Sequence, residues 1–319
     1  DRGEPAQRRR NWPGGGVTMK ISRRGAFKVA AFGAATAAGA RKAEAREKKE
    51  APADATGMLY DATMCIGCKA CVSACRRANS LEMEAHSRLY DDPIDLSANT
   101  ANIIKFYEGE EGTAFIKQQC MHCIDPACAA ACMMGSFQKR QNGIVTWKPE
   151  RCIGCRYCQV ACPFNIPKFE WNSATPAMVK CQMCLAKAGT TNEGQLNEIG
   201  QPACTEVCPR AAVIYGPYEE LKAEALRRIA ENPDRYEDHV YGLDEVGGTQ
   251  VLYLTAKGIP FSKLGLPELG TEPVPALPVG LQHTIYKGFI APVAVYGVIA
   301  GLVWRSRRQY DKAGEEVGA

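Results

Sequence analysis

A mixed α+β fold, built from a repeated unit of strand, cysteine loop, short helix and strand, is predicted by three observations. The stretch Cys152-Ile-Gly-Cys155-Arg-Tyr-Cys158-Gln-Val-Ala-Cys162-Pro163 has the spacing C-x2-C-x2-C-x3-C-P, and Cys65, Cys68, Cys71 and Cys75 repeat its cysteine spacing. Cys120, Cys123, Cys128 and Cys132 form a variant with four residues in the middle gap, and Cys181, Cys184, Cys204 and Cys208 form a split set, so all sixteen cysteines of the 319-residue chain fall into four sets. Finally, Ser136 to Trp147 alternates around Asn142-Gly143, the pattern of a β-hairpin.

Such spacing selects the chemistry. C-x2-C-x2-C-x3-C-P is the bacterial ferredoxin run, in which three thiolates bind one [4Fe–4S] cluster and the fourth serves a second cluster. A motif of this kind needs partner motifs, and the chain supplies them. Zinc ribbons need only two C-x2-C pairs, and disulfides need cysteines spread over a scaffold rather than two apart in one tight loop. Soft thiolate ligands in short glycine-containing turns suit iron–sulfur chemistry, so four [4Fe–4S] clusters are expected.

Residues 1–18 precede Met19, which is read as the translation start, with the preceding residues arising from upstream reading; a longer n-region of the leader is the alternative. Residues 19–45 carry Ser22-Arg23-Arg24-Gly25-Ala26-Phe27-Lys28, twelve weakly apolar positions from Val29 to Ala40, and Ala43-Glu44-Ala45. This resembles a twin-arginine signal peptide with an A-x-A cleavage site, although Ala26 and Phe27 depart from the usual residues. The apolar run is too short to span a bilayer. Residues 46–56 are charged and alanine-rich and read as a linker.

The four-cluster domain is placed at 57–216. Gly57-Met-Leu-Tyr-Asp61 reads as a strand entering the first set. The forty-four residues between Cys75 and Cys120 read as a loop-rich insertion, with Asp91-Asp92-Pro93 and Gly109/Gly112 as turns. Met133 stands where Pro163 and Pro209 follow Cys162 and Cys208, so the turn after Cys132 is expected to be less rigid. Ala212 to Tyr215 reads as a strand.

Residues 217–280 read as a helix followed by an extended segment on the surface. Leu221, Ala225, Leu226 and Ile229 are assigned to one face of the helix over Pro217 to Glu231, and Thr249 to Thr255 is a further strand. Phe289 to Trp304 is an uncharged apolar run of sixteen residues followed by Arg305-Ser306-Arg307-Arg308. Sixteen residues cover about 24 Å of a hydrocarbon core near 30 Å, and counting back to Thr284 closes the gap with Lys287 snorkelling. Residues 281–305 are therefore expected to form a transmembrane anchor, and 306–319 a cytoplasmic tail.

Net charge is +4, but residues 1–45 hold ten Lys/Arg against three Asp/Glu, so the remainder is net acidic. That removes the main support for nucleic-acid binding. Lys69, Arg76, Arg77, Arg151 and Arg156 lie beside cysteines and could tune the clusters, but are read singly as solvated surface charges. His122 is read as a hydrogen-bonding loop residue and His283 as a residue of the membrane interface, neither as a ligand. No Ser/His/Asp set, phosphate loop or substrate-pocket signature is present, so no catalytic site is expected in this chain.

From Gly57 onward the chain resembles the four-cluster ferredoxin-like subunits of membrane-bound oxidoreductases, in particular the HybA-type subunits of hydrogenase-2 complexes. Gly57-Met-Leu-Tyr-Asp, Gln119-Cys-Met-His-Cys, Gly154-Cys-Arg-Tyr-Cys, Gly247-Gly-Thr-Gln-Val and Gln282-His-Thr-Ile-Tyr-Lys-Gly carry the resemblance together with the four cysteine sets. It implies two interlocked dicluster modules, the first and fourth motifs forming one and the middle two the other. Cys65, Cys68 and Cys71 would then share a cluster with Cys208, and Cys181, Cys184 and Cys204 with Cys75. Cys120, Cys123 and Cys128 would take Cys162, and Cys152, Cys155 and Cys158 would take Cys132.

The resemblance further implies partners: the small and large subunits of a [NiFe] hydrogenase as electron source, and an integral membrane quinone-reducing subunit as acceptor. The relay would lie on the periplasmic side of the bacterial inner membrane. Twin-arginine export carries folded proteins, so clusters can be inserted before transport and their thiolates kept from oxidation. The alternatives are the beta subunit of a periplasmic formate dehydrogenase or other molybdoenzyme and, from another class, a metal-stabilised binding protein with no redox role.

Overall fold

A computed structural model of the chain describes residues 48–82, 95–171, 173, 176–184, 200–275 and 295–305. The leader read over 19–45 and His283 lie outside the described residues. The central element is β1 (Thr56–Asp61), buried at every position. It pairs antiparallel with β8 (Val213–Pro217) and parallel with β9 (Val251–Leu254), giving the sheet order β8-β1-β9.

Alternation of side chains divides this sheet between two cores. Met58 and Tyr60, opposite Val251 and Tyr253, join the main core, whereas Leu59, opposite Leu252, joins a second one. Leu221 and Ala225 of the Tyr218–Glu231 helix cover that second face, with Glu219 and Glu220 in the first turn and Arg228 in the last, complementing the helix dipole. Leu226, assigned by sequence to the same stripe, is 48% exposed: it lies five residues after Leu221, about 140° round the helix. Arg228 Nη1 donates to the fully buried carboxylate of Asp61 at 3.0 Å, and Tyr236 Oη and Thr63 Oγ1 donate to it at 2.8 and 2.6 Å. The helix is thereby tied to the end of β1, four residues before Cys65.

The insertion between the first and second sets is more ordered than its sequence suggested. Ile103–Gly109 (β2) and Gly112–Gln118 (β3) form a hairpin, and Ile103, Ile104, Ala114 and Ile116 enter the main core. The Asn142-Gly143 hairpin is present as β4 (Phe137–Lys139) and β5 (Val145–Trp147). Its loop closes through the Gly143 N–H donating to Arg140 O at 2.9 Å, with Gly143 at φ 77°. A further short pair joins β6 (Lys168–Phe169) to β7 (Met178–Val179).

The segment after 246 does not merely cross a surface: β9 completes the sheet, and Ile259, Phe261, Leu264 and Leu266 are buried in the main core. Apolar residues between glycines and prolines packed inward without a helical or strand period to announce it. At the C-terminus, residues 295–305 are helical and exposed. Among the described residues no helix is long and apolar enough to cross a membrane, and residues 281–294 of the expected anchor lie outside them.

Candidate metal centres

All four cysteine sets are built on one local plan. The residue before the second cysteine of each C-x2-C turn is left-handed: Gly67 (φ 69°), His122 (φ 49°), Gly154 (φ 70°) and Met183 (φ 51°). This bends the turn so that backbone N–H groups face sulfur, as where Gly67 N donates to Cys65 Sγ at 3.4 Å and Met183 N to Cys181 Sγ at 3.3 Å. Glycine adopts this conformation without strain, whereas His122 and Met183 do so at a cost of about 1 kcal/mol or more.

The third cysteine of each set then opens a short helix: Ala70–Ala78, Ala127–Ala130, Tyr157–Ala161 and Ala203–Glu206 hold Cys71, Cys128, Cys158 and Cys204. The fourth cysteine follows four residues later, one helical turn away. In the second, third and fourth sets the chain then reverses in a common turn, with Gly135, Asn165 and Ala211 left-handed and their N–H groups donating to Cys132, Cys162 and Cys208 O at 3.1, 3.0 and 3.2 Å. Met133 therefore leaves the turn geometry unchanged, because Gly135 supplies the left-handed residue. The Cys132 sulfur also accepts the Ser136 N–H at 3.3 Å, as Cys208 accepts that of Ala212.

The sixteen cysteines are free thiols. Tyr60, Lys117, Cys65, Cys68, Cys71 and Cys208 line one cavity. Burial, then Cys204, Cys75 and Cys184, against the charge of Lys117, push the Cys181 thiol well up. Cys123 is raised by burial and then by Cys120, Cys162 and Cys128; Cys158 goes to about 12 through burial, Cys132, Cys152 and Cys155. Through these effects thiols distant in sequence fall into four groups: Cys65, Cys68, Cys71 and Cys208 at the cavity, and those that act on Cys181, on Cys123 and on Cys158. Successive groups adjoin: Cys204 raises Cys71, Cys158 raises Cys128, and the buried Tyr253 feels Cys181, Cys120 and Cys204.

Cys75, Cys181, Cys184 and Cys204 are all buried, while Cys68 and Cys155 are exposed. Exposed Ile66 flanks Cys68, and exposed Ile153 and Tyr157 flank Cys155. Among the described residues no three thiol, imidazole or carboxylate groups meet at one point, as a single ion requires. A four-iron cluster takes one sulfur at each iron, which fits thiols set around a cavity and faced by N–H donors.

His122 matches its expected role: its Nδ1 accepts the Val145 N–H at 3.0 Å, and burial, with the Lys180 and Lys139 charges, holds the ring neutral, well below its ordinary pKa. Two basic residues depart from theirs. Arg76 is buried and donates to Thr100 Oγ1 at 2.6 Å, and Arg156 lies 4.0 Å from the Trp171 ring centre while donating to Glu170 O at 3.3 Å. The cations whose charge acts on the buried thiols are instead Lys117, Lys139 and Lys180, which sequence reasoning missed. Lys139 donates to Cys123 O at 2.8 Å, and Lys180 to Val145 O and Cys181 O at 2.5 and 2.9 Å. Their position on or just after strands leading into or out of a cysteine set is the signal that could have found them.

Comparison with known proteins identifies related iron–sulfur chains. Residues 112–218 match the family model described as a 4Fe-4S dicluster domain. The chain is 39% identical over 284 residues, 79% of its length and 85% of the other, to the hydrogenase-2 operon protein HybA of Escherichia coli O157:H7. It is 36% identical to the iron-sulfur subunit of the nitrate-inducible formate dehydrogenase of Escherichia coli, over 76% of this chain and 80% of that one. To the formate dehydrogenase iron-sulfur subunit of Haemophilus influenzae it is 34% identical over 81% of each. With four cysteine sets on one plan and this identity over most of each chain, the protein belongs to the family of ferredoxin-like 4Fe-4S subunits that includes HybA and the formate dehydrogenase iron-sulfur subunits.

Proposed function

We propose that this chain is the electron-transfer subunit of a membrane-bound hydrogenase complex, carrying electrons from a [NiFe] partner to an integral membrane quinone-reducing partner. The observation that carries the reading is the gathering of sixteen thiols into four adjoining groups of four. Each group would hold one [4Fe–4S] cluster, with the ligand sets Cys65/Cys68/Cys71/Cys208, Cys75/Cys181/Cys184/Cys204, Cys120/Cys123/Cys128/Cys162 and Cys132/Cys152/Cys155/Cys158. When bound, such clusters supply one-electron transfer. The protein's residues do the rest: thiolates fix the positions, N–H groups of Gly67, Ser136, Met183 and Ala212 satisfy sulfur, and Tyr60 and Tyr253 keep water from the interior. The groups with exposed Cys68 and Cys155 would form the two ends of the relay, where partners dock.

Residues 19–45 would direct twin-arginine export and 281–305 would anchor the chain, placing the relay on the periplasmic face with its C-terminus in the cytoplasm. Support comes from Arg23-Arg24 before a short apolar run, and from exposed Val295, Tyr296, Val298, Ile299 and Leu302 ahead of a basic cluster. A second reading keeps the relay and makes its source a formate dehydrogenase, favoured by the 36% identity to such subunits. The solubilised complex separates the two. Hydrogen should bleach the iron–sulfur absorbance, and bleaching by formate alone would remove the hydrogenase assignment.

A further inference from the structure

Lys117 is wholly buried on β3, and its Nζ donates to Gln119 Oε1, a neutral amide. Among the described residues no carboxylate forms an ion pair with it. An ammonium removed from water without a countercharge costs several kcal/mol. Cluster-bound thiolates would supply one: the ionisable neighbours of Lys117 include Cys71, Cys75, Cys181 and Cys204. These four thiols come from two adjoining groups, and Lys117 also lines the cavity of the first with Cys65, Cys68 and Cys208.

Its approach is tightly fixed. Gln119 Nε2 lies 3.2 Å from Met58 Sδ, and Tyr253 Oη donates to Lys117 O at 2.8 Å, so both the amide and the lysine backbone are held from the central sheet. The chain leading to Lys117 belongs to the segment entering Cys120, the second motif, while its ammonium sits among thiols of the first and fourth. Lys180 has the reverse placement. It immediately precedes Cys181 of the fourth motif, yet its charge acts on Cys128 and Cys162, which belong to the middle two. Lys180 Nζ, however, is committed to two backbone carbonyls, whereas the hydrogen bond of Lys117 Nζ is to a side-chain amide.

We propose that Lys117 is the shared countercharge of the first and fourth motifs, a positioning residue whose fixed positive charge raises the reduction potentials of the two clusters those motifs hold. The inference rests on the four-cluster reading. Each added electron makes a thiolate-bound cluster more negative by one charge, and a buried cation at its edge stabilises the reduced form more than the oxidised one. Because the interior around Lys117 excludes water, this charge is little screened.

Anaerobically purified full-length chain, wild type and Lys117→Met, should be analysed for iron and titrated reductively under electron paramagnetic resonance. With wild-type iron content in Lys117→Met, two of the four cluster signals should move to lower potential and two should stay; Lys117→Arg should leave all four in place. Unmoved signals in a fully loaded Lys117→Met overturn the proposal. If Lys117→Met does not load iron, Lys117→Arg decides. Loading with wild-type potentials supports the countercharge, and failure of both variants overturns it, because shape rather than charge is then required. Wild-type chain lacking four clusters would instead overturn the underlying four-cluster reading.

Discussion

Left-handed backbone before the second cysteine is the residue-scale feature on which each metal centre depends, and the four centres meet that demand differently. At Gly67 a side chain would collide with the Phe115 ring, whereas at Gly135, also left-handed, nothing lies within 4 Å of where a Cβ would stand. Gly67→Ala should therefore lose about 1–2 kcal/mol from backbone strain, displace Phe115, and shed about four irons on metal analysis. Gly135→Ala should pay the strain alone and keep its iron. The glycines of the first and third C-x2-C turns were legible in the sequence. His122 and Met183 were not, because neither residue type announces a left-handed conformation. Lys117 and Lys180 escaped notice for a related reason: burial among thiols is a property of the folded chain, and a lysine on or next to a strand reads as solvent-facing.

At the scale of elements, the repeated short helix suits the proposed interlocking of the motifs. With the third and fourth cysteines one turn apart, each helix would present thiols to two neighbouring groups, so that under the proposed ligand sets no motif closes a centre by itself. Outside the repeat, the Tyr218–Glu231 helix buries Leu221 against the sheet and leaves Leu226 outward. Leu221→Ala should lower stability by about 2–5 kcal/mol in chemical denaturation, and Leu226→Ala by less than about 0.5 kcal/mol. The helix and the Asn142-Gly143 hairpin were readable from periodicity and turn chemistry. The β2–β3 hairpin was hidden because Phe106, 57% exposed, and Phe115 break the simple inward–outward alternation.

For the whole molecule, the thiols define both the cofactor and the conditions under which it is held. Burial and neighbouring charges push Cys71 to about 11 and Cys75, Cys128 and Cys158 to about 12, so the metal-free chain holds these thiols protonated at neutral pH. Binding iron as thiolates releases those protons, and apparent affinity must rise with pH as long as it remains below these values. Iron release to a competing chelator should accordingly be slower and less complete at pH 9 than at pH 7. The opposite trend would mean that the bound sulfurs are not the buried thiols. The relay's chemistry was legible because ligand spacing is local. Its proposed ends were not, because exposure of Cys68 and Cys155 follows from how distant segments pack.

Metal and sulfide analysis of the anaerobically purified, full-length chain tests the four-cluster account most directly. Four [4Fe–4S] clusters require about sixteen iron and sixteen inorganic sulfide per chain. Zinc in place of iron, or a stoichiometry near eight iron in fully folded protein, would contradict it.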